Sequence, residues 1–114
     1  MKVVQINLVQ DSIEVTTNTF SPAVQVSGVG PLTVAIQISV TGVSNPSGAT
    51  IQLQGSLDGT NFFNIGSTQS VTAAPSEFVL TDTAPAYGWY RSALVRSGGS
   101  FTVTPRVFVY GDTL

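Results

Sequence analysis

TIQLQGSLDGTNFFNIG, residues 50–66, is the stretch that decides the fold of this chain. In its first half, apolar Ile51 and Leu53 alternate with polar Gln52 and Gln54. A period of two is typical of a β-strand that has one buried face and one solvated face. We therefore predict a strand at the start of this stretch.

Asp58 and Gly59 form the turn of the same stretch. Asp favours turns and Gly adopts positive φ without steric cost, so the pair predicts a two-residue primed turn or a short bulged loop. Phe62, Phe63 and Ile65 then return the chain with aromatic and β-branched residues, which suit a half-buried strand. Residues 50–66 are thus predicted to be a β-hairpin with Asp58 and Gly59 as its structural turn.

The rest of the chain repeats this pattern of short strands and turns. Residues 32–40 are the strongest strand, and polar or Gly-rich segments predict loops at 42–48 and 97–100 and turns at 28–31 and 82–86. Pro105 has no N–H to donate, so we expect it at a sheet edge or a bulge. No segment shows a convincing helical period.

The sequence predicts a single all-β domain over residues 1–114, an antiparallel β-sandwich that is jelly-roll-like, with eight or nine short strands. The expected core is Val34, Ile36, Ile38, Ile51, Leu53, Phe78, Leu80 and Tyr90, with Leu32 and Val40 on the same face of the first strand.

The composition favours contact with other proteins, with an extracellular-style β surface as the alternative. Charged residues make up 9% of the chain, against about 25% in average soluble proteins, and the net charge is −2. Ser, Thr, Gln and Asn supply the polarity instead, and these groups are less costly to desolvate than ions. Four basic side chains are too few for a phosphate-binding surface, so no nucleic acid partner is expected.

No catalytic site is predicted, and we expect no enzymatic activity. The chain has no Cys and no His, which removes thiolate chemistry, the usual general base and the commonest metal ligand. Asp58 and Asp82 lie in turns and offer carboxylates to Ca²⁺, but turn chemistry accounts for them, so neither a metal nor another cofactor is expected. The acidic residues are scattered along the chain, so no pair of catalytic carboxylates stands out: Asp11, Glu14, Asp58, Glu77, Asp82 and Asp112.

No apolar run is long enough to span a membrane, and the N-terminus does not have the pattern of a secretory signal, so we expect synthesis in the cytoplasm.

Residues 87–91 hold the densest group of aromatic and cationic side chains: Tyr87, Trp89, Tyr90 and Arg91. Such a group suits sugar stacking, a protein hot spot, or ordinary packing on the two faces of a strand. Gln5, Asn7, Gln37, Gln52 and Gln54 are expected in or beside subunit contacts, because amides bond across a boundary without the desolvation cost of ions. The candidate interaction surface consists of Trp89, Tyr87, Arg91, Gln37, Gln52 and Gln54.

Two pieces resemble discoidin-like and carbohydrate-binding jelly rolls. Residues 55–62, GSLDGTNF, are similar to the "S-x-D-G-x-x-W/F" hairpin of those modules. Residues 87–96 and then 107–111, VFVYG, resemble their closing strands. This resemblance implies a jelly roll that binds a glycan.

The same hairpin, the Ser, Thr and Gln-rich strands, the Gly98-Gly99 turn and the "V-Y-G" ending also look like small virion proteins of tailed phages. That resemblance implies a non-enzymatic structural protein of the virion, made in the host cytoplasm, that decorates the capsid or belongs to the tail. Its partners would be other virion proteins and further copies of itself, with a trimer favoured. A glycan-binding module is the alternative.

Overall fold

The computed structural model describes residues 2–26, 32–82 and 87–112. These residues form ten strands, and they contain no helix that could span a membrane. The turns expected at 28–31 and 82–86 fall wholly or mainly outside them, as does the side chain of Leu32. The strands are β1 (Lys2–Val9), β2 (Ile13–Val15), β3 (Thr19–Phe20), β4 (Val24–Gln25), β5 (Leu32–Ser47), β6 (Thr50–Ser56), β7 (Phe62–Ser70), β8 (Ser76–Asp82), β9 (Trp89–Val95) and β10 (Gly98–Asp112).

The strands build two antiparallel sheets, which confirms the β-sandwich. The first sheet has the order β1-β10-β5-β8, with β2 also paired to β10. The second has the order β3-β9-β6-β7, with β4 also paired to β9. If β1 with β2 and β3 with β4 are each counted as one interrupted strand, each sheet has four strands, in the chain orders 1-8-3-6 and 2-7-4-5. This is the jelly-roll arrangement, in which successive strands alternate between the two sheets except at the β6–β7 hairpin.

The core lies between the sheets and contains the residues that the alternation predicts. Val34, Ile36, Ile38 and Val40 of β5 are at most 1% exposed. They pack with Leu80 of β8 and with residues of the other central strands: Ile51, Leu53, Tyr90, Leu94, Phe101, Val103, Val107 and Val109. Phe78, which was expected to be buried, is half-buried and packs against this cluster from β8, the edge strand of the first sheet.

Residues 50–66 form the predicted hairpin between β6 and β7. Ser56 pairs with Phe62, so residues 57–61 make a five-residue loop and not a two-residue turn. The pairing also slips between Ile51 and Leu53, where β7 bulges. β7 then continues to Ser70, so part of the chain after Gly66 that looked like a polar connection belongs to the strand.

The loops predicted at 42–48 and 97–100 are both wrong, for the same reason: these two segments pair with each other. Residues 42–48 continue β5 as far as Ser47, and residues 98–100 already belong to β10 and pair with them. β9 and β10 lie in different sheets, so residues 97–100 are not a hairpin loop. Gly99 has φ +66, and a Cβ there would collide with the carbonyl oxygen of Asn45. Because Gly99 has no side chain, the backbones of β5 and β10 can approach closely here. The Gly-rich composition of residues 97–100 had suggested a loop instead.

Pro105 was expected at an edge or bulge, but it lies within β10, a central strand. Its carbonyl accepts a hydrogen bond of 2.9 Å from the backbone N–H of Gln10, which lies in the gap between β1 and β2. In an antiparallel strand the N and O of one residue point to the same side. The proline nitrogen therefore faces the gap between β1 and β2, where the ladder of strand pairing is interrupted.

Truncation of Ile36 tests the choice of the buried face. Ile36→Ala should lower the free energy of unfolding by about 2–5 kcal/mol, because it removes buried methyl groups and leaves a cavity. Denaturant titration measures this loss. A loss under about 0.5 kcal/mol, the size of an ordinary surface substitution, would show that Ile36 does not carry the core.

Candidate interaction surface

The structure divides the predicted aromatic and cationic group between the two sides of the second sheet. Tyr90 points into the core, where its hydroxyl donates to Asp82 Oδ2 at 2.9 Å. Burial, reinforced by this contact, raises the pKa of Tyr90. Tyr87 packs edge-on against Tyr90, with ring centroids 6.2 Å apart. Trp89 and Arg91 alternate with Tyr90 along β9 and therefore lie on the outer face. Tyr90 therefore belongs to the core, and Tyr87, which we had placed in the interaction surface, packs against it.

Arg91 is held between two aromatic rings on that outer face. Its guanidinium carbon lies 3.6 Å from the ring centroid of Phe20 and 3.7 Å from that of Phe62. Contacts of this kind contribute about 0.5–2 kcal/mol per ring, depending on desolvation. Partial burial lowers the pKa of Arg91, but a guanidinium keeps its charge at any physiological pH.

A row of amides fixes the same guanidinium from the side. Arg91 Nε donates to Gln54 Oε1 at 2.9 Å, and Gln54 Nε2 donates to Asn64 Oδ1 at 2.9 Å. The three residues are aligned across β9, β6 and β7, since Gln54 pairs with both Arg91 and Asn64. We call the surface formed by Phe20, Gln54, Phe62, Asn64 and Arg91 the Arg91 face.

The three candidate glutamines do not share one surface. Gln54 belongs to the Arg91 face, and Gln52, two residues earlier on β6, donates to the carbonyl oxygen of Gly66 at 2.8 Å. Gln37 lies on the first sheet and donates to Glu77 Oε2 at 3.0 Å. All three amides thus form hydrogen bonds within the chain, which gives each a local role beside the expected one in subunit contacts.

The loop of residues 57–61 is organised by Asp58. Its Oδ1 accepts hydrogen bonds from the backbone N–H groups of Thr60 and Asn61, both at 2.8 Å, and from Ser56 Oγ. Its Oδ2 accepts from Asn61 Nδ2 at 2.9 Å. These donors, the backbone amides foremost, hold the pKa of Asp58 well below its ordinary value of 3.8. The carboxylate therefore serves the loop, as its position in a turn indicates.

Gly59 connects this loop to Trp89. It adopts φ +79, which confirms the predicted positive φ, and its N–H donates to Ser56 Oγ at 3.0 Å. A Cβ on Gly59 would lie 2.9 Å from Cε2 of Trp89. The loop backbone therefore rests on the indole, and the ring supports the loop next to the Arg91 face.

Sequence reasoning identified Arg91 and Gln54 but missed their partners. Phe20 and Asn64 were not singled out, and Phe62 was noted only as a hairpin aromatic. Phe20 pairs with Ala93 through β3, a strand of two residues with no periodic pattern of its own. The one available signal was the position of Arg91 beside Tyr87, Trp89 and Tyr90 in a chain with only four basic side chains.

The described residues hold no group of three or more Cys, Asp or Glu that could bind a metal ion.

No family model matches this sequence, and no curated protein matches it either.

Substitution of Gly59 tests the contact between the loop and Trp89. Gly59→Val should destabilise the protein by more than about 1 kcal/mol, because a β-branched residue is strained at positive φ and its side chain would also meet the indole. Gly42→Val is the matched control, since a Cβ on Gly42 meets nothing within 4 Å. Equal stability of the two variants in denaturant titration would rule out this role for Gly59.

Acid titration tests the role of Asp58. Because its pKa is lower in the folded state, the carboxylate stabilises the fold above its unfolded-state pKa, and this contribution is lost as pH falls through the folded-state value. Unfolding free energies of wild type and Asp58→Asn should therefore differ most near neutral pH and converge below about pH 4. A difference that stays constant down to pH 2 would contradict this.

Proposed function

We propose that this protein is a non-enzymatic structural component of a phage virion, a capsid decoration or tail-associated protein that assembles with itself and with other virion proteins. Jelly rolls are a common architecture of viral capsid and lectin domains, so the fold is compatible with this role. The surface low in charge and the resemblance of the hairpin and closing strands to phage proteins support the virion. The single observation that carries the proposal is the geometry of Arg91.

The Arg91 face has the features of a protein hot spot. Arginine and aromatic residues dominate the binding energy of protein interfaces, and residues whose conformation is fixed before binding lose less entropy on association. Arg91 is fixed by Phe20, Phe62 and Gln54, and it forms no ion pair within residues 2–26, 32–82 and 87–112. Its partner would be a virion protein that presents a carboxylate to the guanidinium.

The glycan-binding alternative has fewer free ring faces in this geometry, because Phe20, Phe62 and Trp89 are each partly covered. Sugar stacking needs an accessible ring face, but Phe20 and Phe62 each direct one face at Arg91, and the Gly59 loop lies against Trp89. These contacts favour a protein partner over a glycan, which remains the second candidate.

Particle binding tests the proposed function. Purified virions of the source phage should contain peptides of this chain, and particles produced without its gene should recover the added recombinant protein on cosedimentation. Absence of the chain from virions and no cosedimentation, together with binding on a glycan array, would replace this function with the alternative.

The role of Arg91 is tested with a pair of arginine substitutions. Arg91→Met keeps an unbranched side chain between the two rings but removes the charge, so particle binding should weaken by about tenfold or more. Arg106→Met is the control, because Arg106 is exposed on the first sheet, away from the Arg91 face. Equal loss of binding in both variants would show that general charge, and not this site, holds the partner.

A further inference from the structure

The two sheets present four edges, and three of them carry irregularities that discourage pairing with another strand. β1 slips in register between Val4 and Ile6, and β3 and β4 are two residues each with Pro22 between them. β7 bulges opposite Gln52. Bulges, prolines and very short strands are the devices that protect sheet edges from other chains. β8 is different, because all seven of its residues pair with β5 without a slip.

Charge does not protect β8 either. Both carboxylate oxygens of Glu77 accept hydrogen bonds from Ser39 Oγ, at 3.0 and 2.9 Å, and Oε2 also accepts from Gln37. These donors belong to β5, so they draw the carboxylate back over the sheet. Asp82 accepts from Tyr90 across the sandwich. The middle of the strand instead exposes Val79, at 60% of its surface.

The backbone groups that face this open edge follow from the pairing. Pro105 directs its carbonyl towards Gln10, so Thr104 and Arg106 direct their groups towards Ser39 and Gln37 of β5. Ile38 and Ile36 then face β8, where they meet Phe78 and Leu80. By the same alternation, the N–H and C=O groups of Glu77, Val79 and Thr81 point to the open edge.

We propose that this edge pairs with β8 of a second copy of the chain, in antiparallel orientation about a two-fold axis at Val79. In this register Val79 meets its own copy, and Glu77 meets Thr81 on either side. All three residues with outward backbone groups then form hydrogen-bonded pairs, and no two carboxylates lie opposite each other. A second copy can therefore bond the outward N–H and C=O groups of β8, because the sequence around Val79 places no like charges opposite each other when it pairs with itself.

This inference deepens the proposed self-assembly and depends on that function for its purpose, although pairing is measurable without any virion. A two-fold contact gives a dimer, or a larger assembly built from dimers. It therefore favours an even number of subunits over the trimer expected from the sequence.

Sedimentation velocity from micromolar to millimolar concentration tests the pairing. Wild type should reach twice the monomer mass of 11.9 kDa. Val79→Lys places like charges opposite each other at the axis and should weaken association by about tenfold or more. Val9→Lys is the control, because Val9 is also exposed, at 55%, on the far edge of the same sheet. Val9→Lys should dimerise as wild type does.

A single introduced cysteine tests the register, since the natural chain has none. Residues in a hydrogen-bonded antiparallel pair have Cα atoms about 5.5 Å apart, within the range of a disulfide. Val79→Cys should form a covalent dimer under mild oxidation much faster than Val9→Cys. A wild type that stays monomeric throughout, or equal cross-linking of both variants, overturns the inference. If that protein still binds particles, the proposed function stands without it.

Discussion

The pairing of β5 with β10, from Leu32 with Gly111 to Ser47 with Gly98, is the constraint on which the rest of the structure depends. These two strands are the longest in the chain and occupy the centre of the first sheet. Their inward residues, such as Ile36 and Val107, form much of the core against the second sheet. Because this pair holds the centre, β1 with β2 and β8 are left as the edges.

The outer surfaces of the molecule follow from this arrangement. The second sheet brings together Phe20, Gln54, Phe62, Asn64 and Arg91, although β3 and β9 are distant in sequence from the β6–β7 hairpin. The first sheet leaves β8 as a regular edge whose acidic side chains are engaged elsewhere. In the proposed assembly the Arg91 face would bind a different protein and the β8 edge would bind a second copy, so one domain would make both contacts.

The sequence predicts what depends on local pattern and misses what depends on distant register. Alternation in residues 32–40 and 50–54 identifies the buried faces correctly, and Asp58-Gly59 identifies a turn with positive φ. The loop predicted at 97–100 was wrong because Gly99 meets the backbone of Asn45, a contact between segments far apart in the chain. Phe20 reaches Arg91 through the pairing of β3 with β9, which no local pattern reports.

Native-state amide hydrogen exchange measures the dependence on β5 and β10 most directly. Amides in the most stable part of a protein exchange only when the whole molecule unfolds. Those of residues 34–40 and, apart from Pro105, 103–109 should therefore be the slowest in the chain, with a free energy of opening equal to that of global unfolding. If the hairpin of β6 and β7 exchanged more slowly than these residues, or if they opened well below the global free energy, the pairing of β5 with β10 would not be the centre of the fold.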